Sequence, residues 1–238
     1  MTFSPVSKIL KKDYFVMSYD FRGHGSTITN EQDVLSAENL VEDCLRVAKK
    51  YFGENQPKIC LCGHSLGGSI AARVVNTQKL SNIVGLILID VVEGTAMESL
   101  PKMQLYLSNR PKNFKNVEQA IHWSIKSGMV QNLESARISI PSQIKKVEDE
   151  SYTWNVDLTS SEKFWKGWFE NLSEIFLNSK IPKMLILAGP ERLDTPLTIA
   201  QMQGKYQLVV HPTCGHMIHE DQPNKVVENI RNFYKRFW

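Results

Sequence analysis

Lys58-Ile59-Cys60-Leu61-Cys62-Gly63-His64-Ser65-Leu66-Gly67-Gly68-Ser69-Ile70-Ala71-Ala72 decides how this chain folds. A short, mostly apolar run enters Gly63-His64-Ser65-Leu66-Gly67, and small residues at helical spacing follow. A G-x-S-x-G stretch between a strand and a helix is a nucleophile elbow, a tight, strained turn that lifts a serine hydroxyl clear of a sheet. Strand and helix must approach closely there. The expectation is that Gly63 and Gly67 supply the space, with Gly68 and Ser69 extending it. The N–H of Leu66, at the helix N-terminus, is then aimed where an oxyanion would form. The plainer alternative is a glycine-rich turn with an incidental serine.

Outward from this turn, apolar runs alternate with amphipathic stretches. Residues 14–20 read as a short buried strand entering the loop Phe21-Arg22-Gly23-His24-Gly25-Ser26. Residues 36–52 have helical spacing, with Leu40, Cys44, Val47 and Ala48 on one face and Ser36 as N-cap. Strands are predicted at 58–62, 83–90, 184–188 and 206–210, and helices at 65–76 and 222–237. In the last helix Val226, Val227, Ile230 and Phe233 share a face. Short apolar runs followed by amphipathic helices point to parallel strands covered on both faces.

Between Thr95 and Lys180 the rhythm changes. Helical patterns occupy 97–107, 117–126 and 164–177, with no clear buried strand. Residues 152–157 alternate weakly, as a short strand or an extended loop. The segment holds Trp123, Trp154, Trp165 and Trp168. The expectation is a single α/β domain over 1–238 with a helical cap inserted at about 95–180.

Composition narrows the function classes. A net charge of +3, from 28 basic and 25 acidic side chains not gathered in a block, argues against a nucleic-acid partner. No apolar run approaches the ~18 residues of a membrane span, and the first residues lack a secretory pattern. Cys44, Cys60, Cys62 and Cys214 form neither a disulfide framework nor a zinc pattern. A reducing intracellular setting follows, cytoplasmic with the nucleus open, and no metal is expected.

A nucleophilic serine needs a base. Of six histidines, His24 sits in a structural loop, His64 is pinned in the elbow, and His122 lies in the cap. His211 ends a strand, and His219 follows three residues after a better candidate. That candidate is His216, in Thr213-Cys214-Gly215-His216 just past the last strand. Nucleophile first and histidine last is the chain order of this kind of triad. The orienting acid is either Asp90, which closes the strand at 83–90, or Asp194 in Gly189-Pro190-Glu191-Arg192-Leu193-Asp194. Both loops open on the same sheet edge, so spacing leaves the choice open. The loser becomes a capping or ion-paired carboxylate.

Several segments are more particular than the elbow. They are Ile89-Asp90-Val91-Val92-Glu93-Gly94-Thr95-Ala96-Met97, Gln201-Met202-Gln203-Gly204-Lys205-Tyr206-Gln207, Arg110-Pro111-Lys112-Asn113-Phe114-Lys115, Asn132-Leu133-Glu134-Ser135-Ala136-Arg137 and Cys214-Gly215-His216. Together with the elbow they resemble the protein phosphatase methylesterase family, of the α/β-hydrolase fold. The likeness runs from about Tyr14 to the C-terminus. It implies removal of the methyl ester from the C-terminal leucine of the protein phosphatase 2A catalytic subunit. Ser65, His216 and Asp90 form the implied triad, with no metal or organic cofactor. A tail ending in leucine calls for a groove with aromatic walls, for which the four tryptophans are candidates. The plainer reading makes them cap core.

The resemblance also implies upstream sequence: at least three more strands and a glycine-rich loop donating a second oxyanion N–H. Met1 to Lys12 does not supply that loop, and residues 4–12 read as the end of the helix that follows it. The strand carrying the loop would lie between the strands at 14–20 and 58–62, leaving a gap in the sheet. The 238 residues are accordingly expected to be a fragment, poorly soluble or inactive as written. A short isoform and an inactive protein are the alternatives. Two other functions compete with the methylesterase: a small-molecule esterase of the same fold, and a phosphatase-binding protein without catalysis.

Overall fold

The computed structural model describes residues 1–53, 57–148 and 150–238. In chain order the elements are α1 (Ser4–Leu10), α2 (Ala37–Phe52), β1 (Ile59–His64), α3 (Leu66–Asn76), β2 (Ile83–Ile89), α4 (Glu93–Ser108), β3 (Asn113–Phe114), α5 (Val117–Lys126) and α6 (Leu133–Ser139). There follow β4 (Ile144–Lys146), β5 (Tyr152–Trp154), α7 (Glu162–Phe169), α8 (Leu172–Asn178), β6 (Lys183–Leu187), α9 (Thr195–Met202), β7 (Gln207–Val210), α10 (Ile218–Asp221) and α11 (Pro223–Phe237). They form two compact units. One comprises Glu31–Gln104 and Ser160–Pro212; the other comprises Met1–Asn30, Leu105–Thr159 and Thr213–Trp238.

The first unit is built on a parallel sheet of order β1-β2-β6-β7. Its central strands bury both alternations of side chains: Leu86 to Ile89 and Met184 to Leu187 are all 2% exposed or less. Such two-sided burial requires continuous apolar runs, which is how these strands read in the sequence. Each fully buried Leu or Ile contributes about 1.5–3 kcal/mol. Helix α3 packs on β1 and β2, and its Ile70, Ala71, Ala72 and Val74 are buried. Helix α2 begins as predicted. Ser36 Oγ accepts the Asn39 N–H at 3.3 Å, and Leu40, Cys44 and Ala48 face inward.

The helical pattern at 164–177 is two helices, not one. The chain breaks at Asn171, which has φ +61°. The Glu93 carboxylate accepts the N–H groups of Asn171 (2.8 Å) and Ser173 (3.1 Å), satisfying orphan donors at the start of α8. At the end of α7, Arg73 donates to the carbonyls of Gly167 (3.1 Å) and Glu170 (2.6 Å). Trp165 and Trp168 are core residues of this unit, 3% and 6% exposed. Their indole N–H groups donate to Ser161 Oγ (2.8 Å) and the Leu35 carbonyl (2.6 Å). Neither is a groove wall.

The second unit holds a small antiparallel sheet of order β3-β5-β4. The weak alternation at 152–157 is thus a strand, Tyr152–Trp154, inside a stretch otherwise read as helical. Phe114, Ala120, Val130, Ala136, Ile140 and Ile144 form a core, with Trp123 and Trp154 packed against it. The Trp154 N–H donates to the Pro111 carbonyl at 2.8 Å, and the Arg110 guanidinium lies 3.7 Å over its ring. Helix α1 packs on α11 and α10, and Asp13 pairs with Arg231.

Residues 14–20 do not form the predicted strand. They carry no regular secondary structure, and Phe15 is 70% exposed. A strand is stable only when a neighbouring strand takes its N–H and C=O groups, and the strand orders of the two sheets do not include this segment. Two of its aromatics pack on other rings instead. Tyr14 meets Tyr234 edge-on at 5.1 Å, and Tyr19 meets Phe21 at 5.7 Å.

Candidate active site

Ser65 lies between β1 and α3 with φ +50° and ψ −121°. A side-chain-bearing residue in that region costs about 1–3 kcal/mol and persists only where its surroundings hold it. Here the Ser65 N–H donates to the Ile89 carbonyl at 3.0 Å, and the Ser65 carbonyl accepts from Gly68 (2.9 Å) and Ser69 (3.1 Å). The turn is therefore tied to β2 on one side and to α3 on the other. Leu66 opens α3, so its N–H belongs to the first turn, whose donors have no acceptor within the helix.

The glycines divide differently from the expectation. A Cβ on Gly63 would lie 2.1 Å from the Gly67 carbonyl oxygen, and one on Gly68 would lie 2.7 Å from Val91 Cγ1. A Cβ on Gly67 would meet nothing within 4 Å. Close approach thus depends on Gly63 and Gly68. The second glycine of the G-x-S-x-G motif faces open space. Ser69, fully buried, donates from its hydroxyl to the Trp168 carbonyl.

Asp90 stands just beyond β2, also at φ +50°. Its N–H continues the ladder to the Ile186 carbonyl at 2.8 Å. Its side chain is fully buried. Oδ1 accepts the Ala188 N–H at 3.0 Å, and Oδ2 lies 2.5 Å from Arg192 Nη1. Asp194 is engaged otherwise. It is the N-cap of α9, where Oδ1 accepts the Leu197 N–H at 3.0 Å and Oδ2 accepts the Ser173 hydroxyl at 2.5 Å.

His216 belongs to the second unit and is exposed there. The loop before it is pinned. Asp221 Oδ2 accepts the Gly215 N–H at 2.8 Å, and Oδ1 accepts the Gln131 N–H at 2.7 Å. Gln222 donates to Thr213 Oγ1 at 2.7 Å. Of the other histidines in this unit, His24 contacts the Arg22 carbonyl through Nδ1 at 3.0 Å. His219 is buried and stacked on Phe3 at 4.5 Å. Burial, with the neighbouring His216, pulls its imidazole down to about 3, so it is a neutral core residue at physiological pH.

Ser65 and Asp90 are thus brought together at one sheet edge, and His216 is carried on an ordered loop of the other unit. Two residues escaped the sequence reading. Arg192 meets a carboxylate 102 positions away, and nothing local signals that. Asp221 is only six residues from the N–H it accepts, so the short-range pattern of a carboxylate closing a Gly-His loop was available. Among the described residues no group of three or more His, Cys, Asp or Glu side chains is placed to hold a metal ion. No helix among them is long and apolar enough to cross a membrane. Burial raises both strand thiols, Cys60 to about 12 and Cys62 further, with Cys60 adding to the effect on Cys62.

Residues 2–229 match the family model described as "Alpha/beta hydrolase family". The chain is 46% identical over 219 residues to the probable protein phosphatase methylesterase 1 of Caenorhabditis elegans, covering 92% of this chain and 60% of that one. It is 41% identical to protein phosphatase methylesterase 1 of Bos taurus (93% and 69% covered) and 43% identical to that of Schizosaccharomyces pombe (99% and 71%). It therefore spans less than two thirds of the first of these relatives. Among solved structures, E-2-(acetamidomethylene)succinate hydrolase superposes with a TM-score of 0.81 at 17% identity, covering 98% of this chain and 86% of that one. A marine microorganism esterase gives 0.70 at 21%, covering 97% and 89%. At those identities the structures speak to the fold alone. From the sequence matches, the chain belongs to the protein phosphatase methylesterase family of α/β hydrolases.

Proposed function

We propose that this chain is a serine carboxylesterase that removes the methyl ester from the C-terminal leucine of the protein phosphatase 2A catalytic subunit. Ser65, strained at φ +50° between strand and helix in a chain of this family, carries the reading. Ser65 Oγ attacks the ester carbonyl while His216 takes its proton, and Asp90 holds the imidazole in the productive tautomer. The Leu66 N–H stabilises the oxyanion. Methanol leaves with the proton returned by His216. Water activated by the same imidazole then releases the free carboxylate. General acid–base transfer of this kind is typically worth about 10²–10⁴-fold. The role of Asp194 as a helix cap favours Asp90 as the acid, and the described cysteines, none of them in a disulfide, suit a reducing cytoplasmic setting.

The test is methanol release from a peptide ending in leucine methyl ester, compared with hydrolysis of a short acyl ester. Preference for the peptide, abolished in Ser65→Ala, is the expected result. Equal turnover of the short ester points to a small-molecule esterase. Phosphatase binding without reaction of Ser65 with a fluorophosphonate points to a non-catalytic binding protein.

A further inference from the structure

We infer that Arg192 is a positioning residue for the orienting acid, setting how much of the Asp90 charge is available to the triad imidazole. The inference rests on the proposal that Asp90 is that acid. Its geometric basis is independent of that proposal. The Asp90 side chain has no exposed surface, and its Oδ2 is 2.5 Å from Arg192 Nη1 while Oδ1 accepts the Ala188 N–H at 3.0 Å. Arg192 lies on the short turn Pro190–Arg192 directly after β6, and a third of its side chain is exposed. It can therefore neutralise a buried carboxylate while remaining solvated itself.

Three carboxylates in the same unit are engaged elsewhere. Glu93 accepts from Asn171 and Ser173, and Asp194 caps α9. The Glu191 carboxylate lies against Gly189. Arg192 is a cation paired directly with Asp90.

A buried carboxylate that loses its guanidinium has two courses, and both act in the same direction. If it stays ionised, its whole charge falls on the imidazolium and favours that form. If it takes up a proton to escape the desolvation cost, the imidazole loses its orienting partner. Either way, reactivity of Ser65 on the acid side is lost at a higher pH.

The experiment is the rate of Ser65 labelling by a fluorophosphonate against pH, for the wild-type chain, Arg192→Met, Arg192→Lys and Asp90→Asn, with thermal unfolding of each. The expected result is an acid limb raised by about one pH unit or more in Arg192→Met, restored in large part by Arg192→Lys, with Asp90→Asn slowed about 10⁴-fold. A merely structural arginine would lower the melting temperature and leave the limb in place, and that result overturns the inference. Wild-type rates in Asp90→Asn overturn the choice of acid instead. An unlabelled wild-type chain overturns the esterase proposal and this inference with it.

Discussion

Ser65 and Asp90 stand one residue beyond the ends of neighbouring parallel strands, both at φ +50°, and the Ser65 N–H reaches across to the Ile89 carbonyl at 3.0 Å. The last residue pair of the ladder is His64 with Ile89, so nucleophile and acid leave the sheet at the same level. Two strained residues side by side at one edge are a built feature, because each costs stability that the neighbouring ladder must offset.

The elbow makes an asymmetric prediction about its glycines. Gly63→Ala drives a Cβ into backbone atoms of Gly67 and Gly68 and should cost about 3 kcal/mol. Gly67→Ala meets open space inside a helix and should stabilise by about 0.5–1 kcal/mol. Urea unfolding of the two variants measures this. Equal losses would mean that Gly67, too, is crowded.

The two candidate acids should separate by what they cost. Asp194→Ala removes a helix cap and a bond from Ser173, so about 1–2 kcal/mol of stability should go, with Ser65 labelling close to wild type. Asp90→Asn should slow labelling by several orders of magnitude. The reverse pattern would move the acid to Asp194.

Asp221 should matter through the loop it holds. Asp221→Asn weakens two charge-assisted bonds, to Gly215 and Gln131, at a cost of about 2 kcal/mol. Loosening the residue before His216 should also slow labelling by more than Asp194→Ala does. Unchanged labelling would show that this loop keeps its shape without the carboxylate.

Glu220 should make stability depend on pH. Burial pushes its carboxyl from 4.5 up to about 7, against the opposing pull of the Ser139 hydroxyl. The folded chain therefore holds this proton more tightly than the unfolded chain does. Its contribution is fully present below about 4.5 and is lost as pH rises through about 7. His219, pulled down to about 3 from 6.5, acts oppositely, losing its contribution as pH falls below 6.5. Comparison of Glu220→Gln with wild type isolates the carboxyl. The variant should melt higher than wild type at pH 8 and nearly together with it at pH 5. A constant difference between the two pH values would rule out titration of Glu220 in this range.

What the sequence by itself determined is what lies within a few residues. The elbow is contiguous: strand, serine, glycines and helix are read in order, and backbone sterics force the same turn wherever they occur. The cap at Ser36 and the buried strands at β2 and β6 are legible for the same reason, since periodicity and capping are local. The tertiary structure decided the rest. Residues 14–20 have the composition of a strand but lie outside the strand orders of both sheets, and pairing is a property of two segments. The break at Asn171 depends on Glu93, 78 residues earlier, and Arg192 reaches Asp90 from 102 residues later. Gly63, Gly67 and Gly68 look alike in sequence, yet only the packing of α3 on β1 and β2 distinguishes crowded from open. A carboxylate's role follows from which donors reach it, and those donors are brought by the fold.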